Sequence, residues 1–119
     1  MKPANGKTYD LAERTAQFGE KIIEYCRIIP QSPITKPLIT QLVKCGTSVG
    51  ANYCEADNAE SKNDFRHKIG ICKKESRESA HFLRMIATAI PSLKDAGNLL
   101  WQEAKELNLI FNTIYKKVS

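Results

Sequence analysis

Glu78-Ser79-Ala80-His81 sets a carboxylate and an imidazole three residues apart, a spacing that places both on one face of a helix. Helical bundles build di-metal centres from two such Glu-x-x-His motifs on two helices, plus a Glu from each of two others. Asp64-Phe65-Arg66-His67 is a weaker echo of the motif. Both motifs fall in one continuous helical stretch, and the fourteen residues between the histidines part them by roughly 21 Å. They cannot ligate one cluster within the chain. No metal and no cofactor is expected, and Glu78 with His81 reads as a surface pair.

Cysteine chemistry fares no better. Cys26, Cys45, Cys54 and Cys72 show no C-x-x-C spacing. Cys45 and Cys54 are nine residues apart, which puts them on opposite sides of a helix. Cys26 and Cys72 fall near apolar stripes, where a thiol is usually inert. A Gly-rich phosphate loop and H-E-x-x-H are both missing. No catalytic residue is expected, and the chain reads as a protein without enzymatic activity.

Cations carry more information. From Lys62 to Arg84 the chain has seven (Lys62, Arg66, Lys68, Lys73, Lys74, Arg77, Arg84) against three acids (Asp64, Glu75, Glu78). That surplus is most of the net charge of +5. Arg66, Lys73, Arg77 and Arg84 recur at seven, four and seven, which makes one stripe along a helix with Lys62 at its edge. Such a row can track a phosphate backbone. It can equally be a solvated face whose stems cover apolar neighbours, with Glu55, Asp57 or Glu60 as ionic partners. No base-stacking aromatics are interleaved with the row. Lys116 and Lys117 either extend the basic surface or favour a helix C-terminus.

Ile71, Met85, Trp101, Leu109 and Tyr115 do not all fit inward-facing stripes, and they are expected at an oligomer or partner interface. Gly46 and Gly50 sit one turn apart inside a helix, where each is unfavourable by about 1 kcal/mol relative to Ala. Their presence implies close approach of another backbone, and it strengthens the case for an oligomer.

The elements that position these residues follow from periodicity. Leu11, Phe18, Ile22, Tyr25 and Ile29 mark a first helix, about 9–29, ended by Pro30-Gln31-Ser32-Pro33. A second, about 36–60, begins with Thr35 as N-cap and Pro37 in its first turn. Its stripe is Leu38, Leu42, Cys45, Val49, Asn52, Ala56 and Ala59. A third, about 62–90, is capped by Ser61 or Asn63 and stripes Phe65, Ile69, Cys72, Ser76, Leu83, Ile86 and Ile90. Pro91-Ser92 breaks it. The fourth, about 95–118, alternates by four and three through Leu100, Ala104, Leu107, Phe111, Ile114 and Val118. Four amphipathic helices with short connections predict a single all-α domain, an antiparallel up-and-down four-helix bundle.

Bulk properties agree. The 119 residues suit one domain, and 42% hydrophobic with 26% charged is a globular balance. Met1-Lys2-Pro3-Ala4-Asn5-Gly6-Lys7 lacks an apolar leader, and no run is long enough to span a bilayer. A cytoplasmic protein with reduced thiols and no membrane association is expected.

One segment resembles a known family. Gly46-Thr47-Ser48-Val49-Gly50-Ala51-Asn52-Tyr53-Cys54-Glu55-Ala56 runs on into Ser61-Lys62-Asn63-Asp64-Phe65. Lys68-Ile69-Gly70-Ile71-Cys72-Lys73-Lys74-Glu75 then leads to Glu78 and Phe82-Leu83. This is similar to the four-helix-bundle proteins encoded by intervening sequences in bacterial 23S ribosomal RNA genes. The resemblance implies the same bundle, a ring-like homopentamer and no catalytic residues. A similar bundle serves diversity-generating retroelements as an accessory protein, where a basic pentamer engages nucleic acid and a reverse transcriptase. Lys62, Lys73, Arg66 and Arg77 are the basic positions that fit the pattern. Asn52 and Glu55 share a helical face, and their expected role is to fix helix register, with Glu55 paired to a cation on the third helix. The leading expectation is an oligomeric protein that binds structured RNA or another nucleic acid. The other is a protein-interaction scaffold built on Trp101, Tyr115 and the remaining extra apolar residues.

Overall fold

The computed structural model describes residues 10–118. The N-terminal stretch Met1–Lys7 and the expected helix start at Tyr9 lie outside the described residues. Four α-helices follow one another: α1 (Leu11–Arg27), α2 (Thr35–Asp57), α3 (Lys62–Ala89) and α4 (Lys94–Lys117), with a 3₁₀ turn at Pro91–Leu93 before α4. They form an antiparallel up-and-down bundle.

Capping chemistry sets most boundaries. Asp10 accepts from the Glu13 amide at 3.1 Å and starts α1. Ser61 does the same for α3 through the Asp64 amide at 3.0 Å. The start of α2 differs from the sequence expectation. Thr35 is its first helical residue, not its cap. Its hydroxyl donates to the Pro30 carbonyl at 2.6 Å and accepts from the Ser32 amide at 2.8 Å. Ser32 Oγ in turn accepts from the Ile34 and Thr35 amides, so the serine satisfies the orphan donors. Both α1 and α2 stop short of the expected ends, because Ile28 and Asn58 already take carbonyls of the last turn.

The core is one cluster fed by all four helices. Phe18 and Ile22 of α1, Leu42 and Val49 of α2, Ile69 and Ile86 of α3, and Leu107 and Phe111 of α4 are at most 1% exposed. Residues i, i+3, i+4 and i+7 supply it, as a buried helix stripe requires. Between α2 and α3 several of the buried side chains are small. Ser79 Oγ donates to Cys45 Sγ at 3.5 Å, and Cys72 Sγ donates to the Val49 carbonyl at 3.5 Å. Small residues let these two helices pack most closely.

Gly46 and Gly50 perform the same service for α1. A Cβ on Gly50 would lie 3.3 Å from the Thr15 carbonyl group, and one on Gly46 would lie 2.9 Å from Ile22 Cγ1. The close approach therefore occurs inside the chain, and these glycines give no argument for an oligomer.

Contact between α1 and α4 is slight beside that of the other neighbouring pairs. Arg14 bridges it at one end, with Nε 2.7 Å from Glu103 and Nη2 2.8 Å from Glu106. Tyr25 bridges the other by donating to the Leu93 carbonyl at 3.2 Å. Between these ties lies an open groove of about 710 Å³. The molecule measures 44 × 30 × 19 Å, flattened as a bundle splayed along one edge should be. No helix among the described residues is long and apolar enough to cross a membrane.

Candidate functional site

The row Arg66, Lys73, Arg77 and Arg84 lies on the flank of α3 that turns towards α4. Two residues fix that orientation. The Arg66 guanidinium stands 3.7 Å from the centroid of the Tyr115 ring. Its Nε also donates to the Tyr115 carbonyl at 3.2 Å. Lys73 Nζ donates to Asn112 Oδ1 at 3.3 Å and sits 4.7 Å from the same ring. Arg66 and Lys73 are thus half-buried and engaged, unlike the freely solvated row that spacing alone suggests. Gly70 admits the tyrosine, since a Cβ there would meet Tyr115 Cε1 at 3.0 Å. Asn108 Nδ2 donates to the Lys73 carbonyl at 2.7 Å, tying α4 to the backbone of α3.

Below this seam the helices leave a cleft of about 570 Å³ lined by Lys73, Lys74, Arg77, Glu78, His81, Asn108 and Asn112. Glu78 is its only carboxylate. Beside it, a smaller pocket of about 270 Å³ takes buried Leu83 and Gly97 together with Ala87, exposed Arg84, Lys94 and Asn98, and the Trp101 indole. Arg66 and Arg84 are eighteen residues apart, so the basic groove runs about 27 Å along α3. Lys62 is exposed at its N-terminal end, and Lys116 and Lys117 are exposed at the end of α4.

Charge is segregated around this groove. Glu103 and Glu106 of α4 turn to Arg14 on the opposite side. Glu55 of α2 takes Lys68, which lies off the row, at 2.6 Å. That hydrogen bond raises the Lys68 pKa above its ordinary value. Among the described residues, no carboxylate comes within 4.0 Å of Lys62, Arg66, Lys73, Arg77 or Arg84. Glu55, Asp57 and Glu60 do not neutralise the row.

The structure divides the other singled-out residues differently from the sequence. Trp101 and Tyr115 border the basic groove, so α4 brings to the cations aromatics that are not interleaved with the row on α3. Lys105 Nζ lies 4.7 Å from the Trp101 ring centroid. Ile71 and Met85 are half-buried, roughly 100–140° round α3 from the Arg66 stripe. Leu109 is 64% exposed and lines neither cleft. These five do not make one apolar face. Asn52 donates to Ser48 of its own helix at 2.9 Å, so its side chain stabilises α2 locally and does not bridge to α3. Sequence periodicity missed Ile28 and Leu99, which are 58% and 76% exposed and both line the groove between α1 and α4.

Thiols and acids are placed for structure. Burial pushes the Cys72 thiol up to about 12 and Cys26 up to about 11. Burial raises the Glu75 carboxyl too, and the neighbouring Glu78 charge adds to it. His81 packs edge-on against Phe82 with centroids 5.1 Å apart. Among the described residues, no three His, Cys, Asp or Glu side chains converge as metal ligands would.

A family model described as 23S rRNA-intervening sequence protein matches residues 7–113. The chain belongs to this family. Similarity to solved structures agrees on architecture. A crystal structure from Bacteroides thetaiotaomicron VPI-5482, described as a protein of unknown function from the S23 ribosomal protein family, superposes with a TM-score of 0.77. The two chains are 23% identical, and the match covers 89% of this chain and 98% of that one. That likeness concerns the fold. No curated protein matches the chain.

Proposed function

We propose that this family member is a non-enzymatic, oligomeric protein that binds structured RNA through the α3–α4 groove. One observation carries the reading. Cations of α3 wall the cleft and Lys94 of α4 joins Arg84 at the adjoining pocket, they have no carboxylate within ion-pair distance among the described residues, and Glu78 is the lone acid lining the cleft. Coulombic contact with phosphates supplies affinity without demanding a base sequence. The amides of Asn108 and Asn112 add neutral hydrogen-bonding groups to the same wall.

Lys74 and Arg77 are the residues for the test, because both are exposed whereas Lys73 packs on Tyr115. The double variant Lys74→Glu/Arg77→Glu should bind a structured RNA at least tenfold more weakly, with an unchanged helical spectrum and melting temperature. Equal binding by a folded variant would remove the groove from the proposal.

The α1–α4 groove favours a second role as a protein-contact surface. Ile28 and Leu99 are exposed there beside Phe18, Tyr25 and Leu100, an apolar face suited to another copy of the chain or to a partner. The homopentamer implied by the family resemblance would use such a face. Leu99→Glu should lower the mass measured by light scattering at equal concentration. An unchanged mass would exclude this groove from the assembly.

A further inference from the structure

We propose that the pocket between the C-terminal half of α3 and the start of α4 captures a single unpaired nucleobase of an RNA strand. The base stacks on Trp101, and Arg84 and Lys94 hold the flanking phosphates. The inference rests on the RNA-binding reading above and sharpens it, because it assigns the groove to RNA with an extruded nucleotide and not to a continuous duplex.

Four observations meet at this pocket. Its volume of about 270 Å³ lies near the lower end of small-molecule sites, roughly 300 Å³ and upward. That is room for one ring system and not for a stacked pair. Its surface joins an apolar base, from Leu83, Ala87 and Gly97, to an indole that is 37% exposed. Arg84 and Lys94 stand at its edge with no carboxylate among the lining residues. Asn98 adds an amide able to donate to and accept from a base edge.

Each part matches one part of a nucleotide. An aromatic face takes the base, an amide takes its polar edge, and paired cations take the phosphodiester on either side. An apolar protein side chain would fill the floor but leave both cations unmatched. A paired base cannot enter, since its faces are already covered by neighbours in the stack; an unpaired one enters at little unstacking cost.

The pocket is held in shape from behind by Tyr25, which does not line it. Tyr25 donates to the Leu93 carbonyl at 3.2 Å and so fixes the start of α4. Gly97 permits this, because a Cβ there would stand 2.8 Å from the Tyr25 hydroxyl. Lys105 Nζ sits 4.7 Å from the indole centroid and does not line the pocket.

Trp101 is the only tryptophan in the chain, so emission excited selectively at the indole, beyond the absorption of the tyrosines, reports on this site. The full-length protein would be titrated with an RNA hairpin carrying one bulged nucleotide, with the same hairpin made abasic at the bulge, with a fully paired duplex of equal length, and with the matching free mononucleotide. Affinities would be read independently from end-labelled RNA. The expected result is fluorescence quenching by the bulged hairpin only, with binding about tenfold tighter than to the abasic or paired RNA, within the range that base–aromatic stacking supplies. Trp101→Ala should erase that difference between bulged and abasic RNA, and Trp101→Phe should keep most of it. Equal affinity and equal quenching for bulged, abasic and paired RNA would overturn this inference yet leave the RNA-binding groove standing. A free mononucleotide that binds as tightly as the hairpin would reassign the pocket to small nucleotides. Failure of every RNA to bind would overturn both readings.

Discussion

A methyl group at Gly46 would stand 2.9 Å from Ile22 Cγ1, and Ile22 is fully buried. Gly46→Ala would gain about 1 kcal/mol of helix propensity and lose about 1–3 kcal/mol to overpacking. The expected net change is a loss of about 1 kcal/mol, seen as a lower urea midpoint at unchanged slope. Gly19 offers the contrast. Its nearest neighbour would be 3.5 Å away, at Thr47 Cα, so Gly19→Ala should raise the midpoint. The sequence exposed the two glycines of α2 as an anomaly of composition. Their partners Thr15 and Ile22 were hidden, since periodicity shows which face is buried but not which helix covers it. The thiols give a prediction in pH. Cys72 and Cys26 hold their protons to about 12 and about 11 in the folded chain, against about 8.5 in an unfolded one. The unfolded state sheds these protons first, so the stability they contribute is complete below pH 8.5 and is lost as pH rises towards 12. Thermal melts between pH 8 and 11 should show a falling melting temperature. A flat profile would contradict buried, protonated thiols.

The elements differ in how firmly they are held. α2 and α3 meet through small side chains at Cys45, Cys72 and Ser79, whereas α1 meets α4 chiefly through Arg14 and Tyr25. Arg14→Ala should reduce stability by about 1 kcal/mol, the upper range for partly exposed pairs. Hydrogen exchange should quicken in α1 before it does in α2 or α3. Uniform acceleration across all four helices would show that α1 is not a separable edge. The four helices themselves were readable because stripes of period 3.6 run through each, interrupted at Pro30, Pro33 and Pro91. The start of α2 was misread because Ser32 and Thr35 compete for the same orphan groups, and only the path of the connection decides between them. The exposure of Ile28 and Leu99 was missed for a related reason. Stripe analysis assumes that every neighbouring pair closes, and the gap between α1 and α4 is a property of tertiary packing.

At the scale of the molecule, charge and aromatic surface converge on one groove. The cationic row was plain in the sequence, since Arg66, Lys73, Arg77 and Arg84 share a helical phase. Its function-bearing context was not. Trp101 and Tyr115 come from another helix, and the sequence offered them as a separate interface when they in fact border the cations. Membership of the 23S rRNA-intervening sequence protein family fits a bundle of this kind without naming its ligand. The central claim is that phosphates occupy this groove, and counterion release measures it directly. The slope of log binding constant against log salt, for one structured RNA, should be about −3 to −5 if four to six phosphates are neutralised. It should become shallower by one to two in Lys74→Glu/Arg77→Glu. A slope near zero, or the same slope in both proteins, would contradict the account.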